Sequence, residues 1–258
     1  MSKKKILFIT GEFLPNTSSV GGVIRVISFL KSLKDHKVKL ISLKRKKYGY
    51  LGFKKHVNHV DKIYIDSGST NNNLNYNLFV RVLKKILSNF FYLIALDNNF
   101  FYLKRYKTKI IKEIRLSRPD YIIISAPPFS LFRLVNIIRK KFENIKIILD
   151  YRDGWTQRVD SVFMFPFRIL MSRYEKNILN KSNYILCATL KIFQDLNNLL
   201  NKKKIILLNN GYFKLNAKKL KKHTNSNKIK IGYFGLISDS ENSFRDLNVI
   251  HKSIKNEK

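Results

Sequence analysis

Seven short apolar runs bounded by turn residues, with longer stretches of helical period between them, constrain this chain more than anything else in it. The runs occupy residues 6–10, 38–43, 62–65, 121–125, 145–150, 184–188 and 205–208. Between the first two, Val23, Val26, Ile27, Leu30 and Leu33 fall on one helical face. Further helices are read at 78–96, 102–116, 131–142, 166–180 and 192–200. Strands alternating with helices predict an α/β fold: a Rossmann-like, doubly wound, mostly parallel sheet over 1–213. Such a sheet binds ligands beyond the carboxyl ends of its strands, which directs attention to the loops after the first, fourth and fifth.

Residues 214–227 (KLNAKKLKKHTNSN) lose the apolar period and read as a basic linker. A strand is then expected at 229–234 and a helix at 244–254. One strand and one helix cannot bury a core of their own, so 228–258 is expected to be the incomplete start of a second domain.

Charge narrows the partners. The chain carries 51 Lys and Arg against 17 Asp and Glu, a net charge of +34, and such a field attracts nucleic acid, anionic lipid or phosphorylated substrates. Much of the excess accompanies a general richness in Lys, Asn and Ile. Acids are nevertheless absent between Asp35 and Asp61 and between Asp195 and Asp239. Within the first gap, 44–55 (KRKKYGYLGFKK) mixes basic and aromatic residues, as would a segment lying on anionic lipid or a solvated basic face. A second mixture of this kind spans 80–115. The order of strands matches no common nucleic-acid-binding module, so no specific nucleic acid is expected.

A single cysteine, Cys187, excludes a disulfide scaffold, and its apolar strand suits a buried, inert thiol. Five scattered histidines without metal spacing predict no metal and no bound cofactor. The opening MSKKKILFIT has too short an apolar run for a leader, and 86–103 is interrupted by Asp97, Asn98 and Asn99. A cytoplasmic protein is expected, with peripheral attachment at the inner membrane face as an option.

Three loops can carry chemistry. In GEFLPNTSSVGG, Gly21 and Gly22 precede the first helix, where a phosphate could meet free N–H groups or where the chain could simply turn. The fourth strand runs into SAPPFS, in which Pro127 and Pro128 stiffen either a pocket wall or a structural turn. The fifth ends in DYRDGW, gathering Asp150, Arg152, Asp153 and Trp155. These groups could position a hydroxyl, stack on a sugar ring or form a buried ion pair. Glu175 could face this cluster or pair with Arg173 or Lys176 at the surface.

Taken in order, KILFITGEFLPNTSSVGGVIRV, PDYIIISAPPFS, IILDYRDGWTQ, YEKNILNKSNYILCAT and IILLNNGYF followed by KIKIGYFGLI resemble the amino-terminal half of glycosyltransferase family 4. These are retaining enzymes of GT-B fold that build capsule, lipopolysaccharide and other surface glycans. The resemblance implies an acceptor-binding amino-terminal domain and a nucleotide-sugar donor held mostly by the carboxy-terminal one. It implies a donor-phosphate loop at Gly21 and Gly22, a catalytic role for Asp153, and acceptor or active-site lining by Pro127, Pro128, Arg152, Trp155 and Glu175. A hinge is implied at Asn210 and Gly211. The family's donor-gripping basic residues and glutamate pair have no counterpart, so a truncated or split enzyme is expected, with the donor domain on a second polypeptide. The substrates implied are a nucleotide sugar and a glycan or lipid-linked acceptor. The alternative expectation is a non-catalytic acceptor-binding or membrane-scaffold protein.

Overall fold

The computed structural model of the chain describes residues 2–14, 20–44, 57–66, 103–157, 167–200 and 204–211. The chain divides into two compact units, Met1–Tyr212 and Phe213–Lys258, and all described residues belong to the first. The expected helix at 78–96, the linker, the strand and helix beyond it and the basic stretch at 45–55 lie outside the described residues.

In chain order the elements are β1 (Lys5–Glu12), α1 (Val20–Ser32), β2 (Lys37–Lys44), β3 (Asp61–Asp66), α2 (Leu103–Ser117) and β4 (Tyr121–Ala126). A 3-10 turn (Phe129–Arg133), α3 (Leu134–Lys141), β5 (Lys146–Tyr151), α4 (Phe167–Asn180), β6 (Tyr184–Cys187), α5 (Leu190–Leu200) and β7 (Ile205–Leu207) follow. The seven strands form one parallel sheet in the order β3-β2-β1-β4-β5-β6-β7, the Rossmann-like α/β arrangement expected from the alternating pattern.

The central strands read as near-continuous apolar runs because both of their faces are covered. Ile122, Ile123 and Ile124 of β4 and Ile147 and Leu149 of β5 are all buried. On α1, Val23, Val26, Ile27 and Leu30 are buried as the helical period requires. The helix expected at 131–142 differs at its start: after Pro127 and Pro128 the chain first winds a tighter 3-10 turn, then continues as α3. That turn buries Phe129 and Phe132 beside Tyr151 and Trp155, and the four rings form an aromatic cluster in the core. No helix among the described residues is long and apolar enough to cross a membrane.

Strand order reverses at β1, which lies between β2 and β4 while the chain proceeds outward on both sides. The carboxyl ends of β1 and β4 therefore flank the crevice where an open α/β sheet accepts ligands.

Candidate functional site

The site is built on a row of residues in register. Thr10 of β1 pairs with Ser125 of β4, which pairs with Asp150 of β5, and all three are fully buried. Ser125 Oγ donates to Asp150 Oδ2 at 2.7 Å. Arg25 of α1 donates to Asp150 Oδ1 from Nε at 2.9 Å and Nη2 at 2.8 Å. Its Nη1 donates to Leu208 O at 2.8 Å and to Asn210 Oδ1 at 2.9 Å. Asp150 is therefore the buried anchor of an ion pair, the structural one of the roles its sequence position allowed. Arg25 is a residue that sequence reasoning missed, and no signal pointed to it, since it lies off the apolar face of α1.

Arg152 ties the neighbouring loops together. Its Nη1 donates to Gly22 O, its Nη2 to Pro127 O, and its Nε to Ala126 O at 3.2 Å. Burial pulls the guanidinium below its ordinary value, while the charges of Asp150 and Asp153 act in the other direction. Gly21 and Gly22 lie inside the first turn of α1, which begins at Val20, rather than ahead of it. The amides of that first turn have no partner within the helix, and the Arg152 guanidinium adds positive charge beside them. Pro128 packs on the end of β1, where a Cβ on Gly11 would lie 2.2 Å from its Cδ, so only glycine fits at that position.

Asp153, one residue beyond Arg152, is exposed and has no hydrogen-bond or ion-pair partner among the described residues. Its carboxylate is exposed beyond the carboxyl end of β5, near enough to Arg152 for their charges to interact, and next in sequence to a residue with three backbone anchors.

Trp155 and Glu175 take up different places. Trp155 is 2% exposed and stacks on Phe129 with centroids 5.3 Å apart and planes 8° from parallel. Tyr174 packs against it at nearly a right angle, and burial leaves no exposed ring face for a sugar. Glu175 is also fully buried; it faces the 151–157 segment rather than pairing with Arg173 or Lys176. Its carboxylate accepts from Tyr151 Oη at 3.0 Å, from Gln157 Nε2 at 2.9 Å and from Thr156 Oγ1. Burial raises its pKa to about 7, against the lowering effect of these donors. Glu175 therefore supports the loop from beneath, with Thr156 and Gln157 as partners that no sequence motif had marked.

Asn210 accepts from Arg25, which connects the segment after β7 to α1. Among the described residues nothing lies within 4 Å of where a Cβ on Gly211 would stand, so their packing does not demand glycine there. Cys187 is buried, and burial pushes its thiol up to about 12, keeping it protonated at neutral pH. Among the described residues no group of three His, Cys, Asp or Glu side chains could hold a metal ion.

No family model matches the chain, and no curated protein matches it. Among solved structures, it is similar to the trehalose-6-phosphate phosphatase N-terminal domain of Candida albicans, with a TM-score of 0.46 and 13% identity over 77% of this chain and 43% of that one. A protein described as a UDP-N-acetylglucosamine 2-epimerase from Listeria monocytogenes gives a TM-score of 0.43 and 14% identity, over 80% and 45%. The glycotransferase of kitacinnamycin gives 0.46 and 9%, over 87% and 56%. The chain spans about half the length of each of these proteins.

Proposed function

We propose that this chain is the acceptor-side half of a retaining glycosyltransferase, moving a hexosyl group from a nucleotide sugar to a glycan or lipid-linked acceptor in surface-glycan synthesis. The observation that carries the reading is Asp153, an exposed carboxylate at the carboxyl edge of the sheet with no hydrogen bond among the described residues, next to the anchored Arg152. An acceptor hydroxyl could donate its hydrogen bond to Asp153, which would orient that oxygen toward the anomeric carbon. As the new C–O bond forms, the bond to the nucleotide diphosphate breaks and the hydroxyl proton leaves with the departing phosphate oxygen. The amides of Gly21 and Gly22, with the Arg152 guanidinium nearby, would face the negative charge that develops on that diphosphate. Donor recognition would fall to a second domain, on this polypeptide or a partner. The reading calls for no metal, because helix amides and guanidinium take the place of a cation at the phosphates.

The test is transfer of labelled sugar from a panel of nucleotide sugars to lipid-linked saccharide, with the full chain and the product of any adjacent reading frame. Product formation that Asp153→Asn abolishes while circular dichroism is unchanged is the expected result. Turnover that survives Asp153→Asn removes Asp153 from the site, and absence of transfer and of acceptor binding alike overturns the reading as a whole.

A further inference from the structure

The opposite, amino-terminal edge of the sheet carries a cavity of about 460 Å³, a size typical of small-molecule sites. Lys3 lines it from the segment before β1, Lys5 from the start of β1, Lys34 from the turn between α1 and β2, and Lys37 and Lys39 from β2. Asp61 is the one acid among the described residues of its lining.

Two of the acids nearby are taken up by Lys39, a third accepts from a backbone amide, and Asp35 stands exposed between Lys34 and His36. Lys39 Nζ lies 3.0 Å from Glu113 Oε2 and 3.4 Å from Asp61 Oδ2, and Asp120 Oδ2 accepts from the Lys5 backbone amide at 2.8 Å. Lys3, Lys5, Lys34 and Lys37 are exposed, and their ammonium groups have no ion pair among the described residues. Four unpaired ammonium groups around one concavity repel one another, and a multivalent anion relieves that repulsion. A second cavity of about 440 Å³ shares Ile6 and His36 with the first but is mostly apolar, with Lys4 as the one lysine among its described lining residues. Among the described residues no Phe, Tyr or Trp ring lines the first cavity, so these residues offer no stacking platform of the kind on which single-stranded nucleic acid depends.

We infer that this amino-edge cavity is a binding site for a compact multivalent phosphate group, free or on a lipid headgroup, held by Lys3, Lys5, Lys34 and Lys37. The site stands apart from Asp153. Strand β1 runs from Lys5 at this edge to Glu12 at the other, about 23 Å at roughly 3.3 Å per residue, so the inference does not rest on the transferase reading.

The experiment is calorimetric titration of the full chain with inorganic pyrophosphate at about 0.15 M salt, where the Debye length of about 8 Å screens distant charge. Saturable binding is expected. Lys34→Glu/Lys37→Glu should weaken it at least about tenfold. Lys104→Glu/Lys107→Glu, at the far end of α2 and about 15–20 Å along its axis from Ser117, removes the same charge and should weaken it less than about twofold. Equal weakening by both pairs, or no saturation in the unaltered chain, overturns the inference, because the anion would then be responding to the +34 total alone. A parallel flotation arm compares phosphatidic acid vesicles with neutral phosphatidylcholine vesicles. Flotation on the anionic vesicles that pyrophosphate displaces assigns the phosphate to a lipid headgroup. Pyrophosphate binding without flotation assigns it to a free anion, and flotation unaffected by Lys34→Glu/Lys37→Glu counts against the cavity.

Discussion

Arg25 and Asp150, 125 positions apart, form a buried ion pair in which two guanidinium nitrogens reach one carboxylate oxygen at 2.8 and 2.9 Å. The same arginine holds Leu208 O and Asn210, and the same aspartate holds Ser125. One interaction thus joins α1, β4, β5 and the segment after β7 at the edge that carries Asp153.

Removing one partner leaves an uncompensated buried charge. Asp150→Ala should therefore lower unfolding free energy by about 3–5 kcal/mol in a urea titration. The pair Arg25→Met/Asp150→Leu should recover a large part of that loss, since well-packed apolar groups replace a buried ion pair at little cost. A single Asp150→Ala variant within about 1 kcal/mol of the parent would show that the pair is not desolvated.

Glu175 makes stability depend on pH with a definite sign. Its folded pKa of about 7 lies above the ordinary carboxylate value, so between roughly pH 4.5 and 7 the folded state binds more protons than the unfolded one. Its contribution is most favourable below that window and falls as pH rises through it, by about 3 kcal/mol over the whole range. Glu175→Gln should flatten this part of the profile and narrow its disadvantage, or become the more stable form, above pH 7. Trp155, the sole tryptophan, adjoins Thr156 and provides a fluorescence readout of the same titration. Identical pH profiles for parent and variant would refute the assignment.

Three glycines should respond differently to alanine. At Gly11 the new Cβ would meet the Pro128 ring at 2.2 and 2.6 Å, and a rigid ring backed by the core cannot yield, so about 1–3 kcal/mol should be lost. At Gly22 the nearest atom is Arg152 Nη1 at 3.2 Å, the tip of a side chain, and the change should be smaller. At Gly211 nothing among the described residues lies within 4 Å, and stability should stay within about 0.5 kcal/mol. Thermal unfolding of the three variants, ranked in this order, checks the packing at the crevice.

Arg152→Lys keeps the charge and loses the fork. One ammonium cannot serve Gly22 O, Pro127 O and Ala126 O together, so about 1.5–3 kcal/mol of local stability should go. Hydrogen exchange should accelerate in the 152–157 loop while the amides of β4 and β5 stay protected. Acceleration spread evenly over the sheet would mean that Arg152 supports the whole domain rather than this loop.

The sheet was legible because its information is local. Runs such as IIIS and IILD state by composition alone that a strand is buried on both faces, and the helical period between them forces parallel crossovers. The position of DYRDGW at the end of β5 was legible for the same reason, since loop position follows from the alternation, whereas the order of strands in the sheet came from the tertiary structure. The duties of the site's residues were not legible. Asp150, Asp153, Trp155 and Glu175 are equally eligible in sequence, yet one is locked to Arg25, one is exposed, one is stacked in the core and one lies beneath the loop. Arg25 sits off the apolar face of its helix, and only the return of the chain after β7 closes over it. Periodicity and turn chemistry act within a few residues, so the sequence by itself determined the elements and their layering. Burial, ion pairing and pKa depend on atoms brought together from distant positions, so which carboxylate is buried and which remains available was decided only by the tertiary structure.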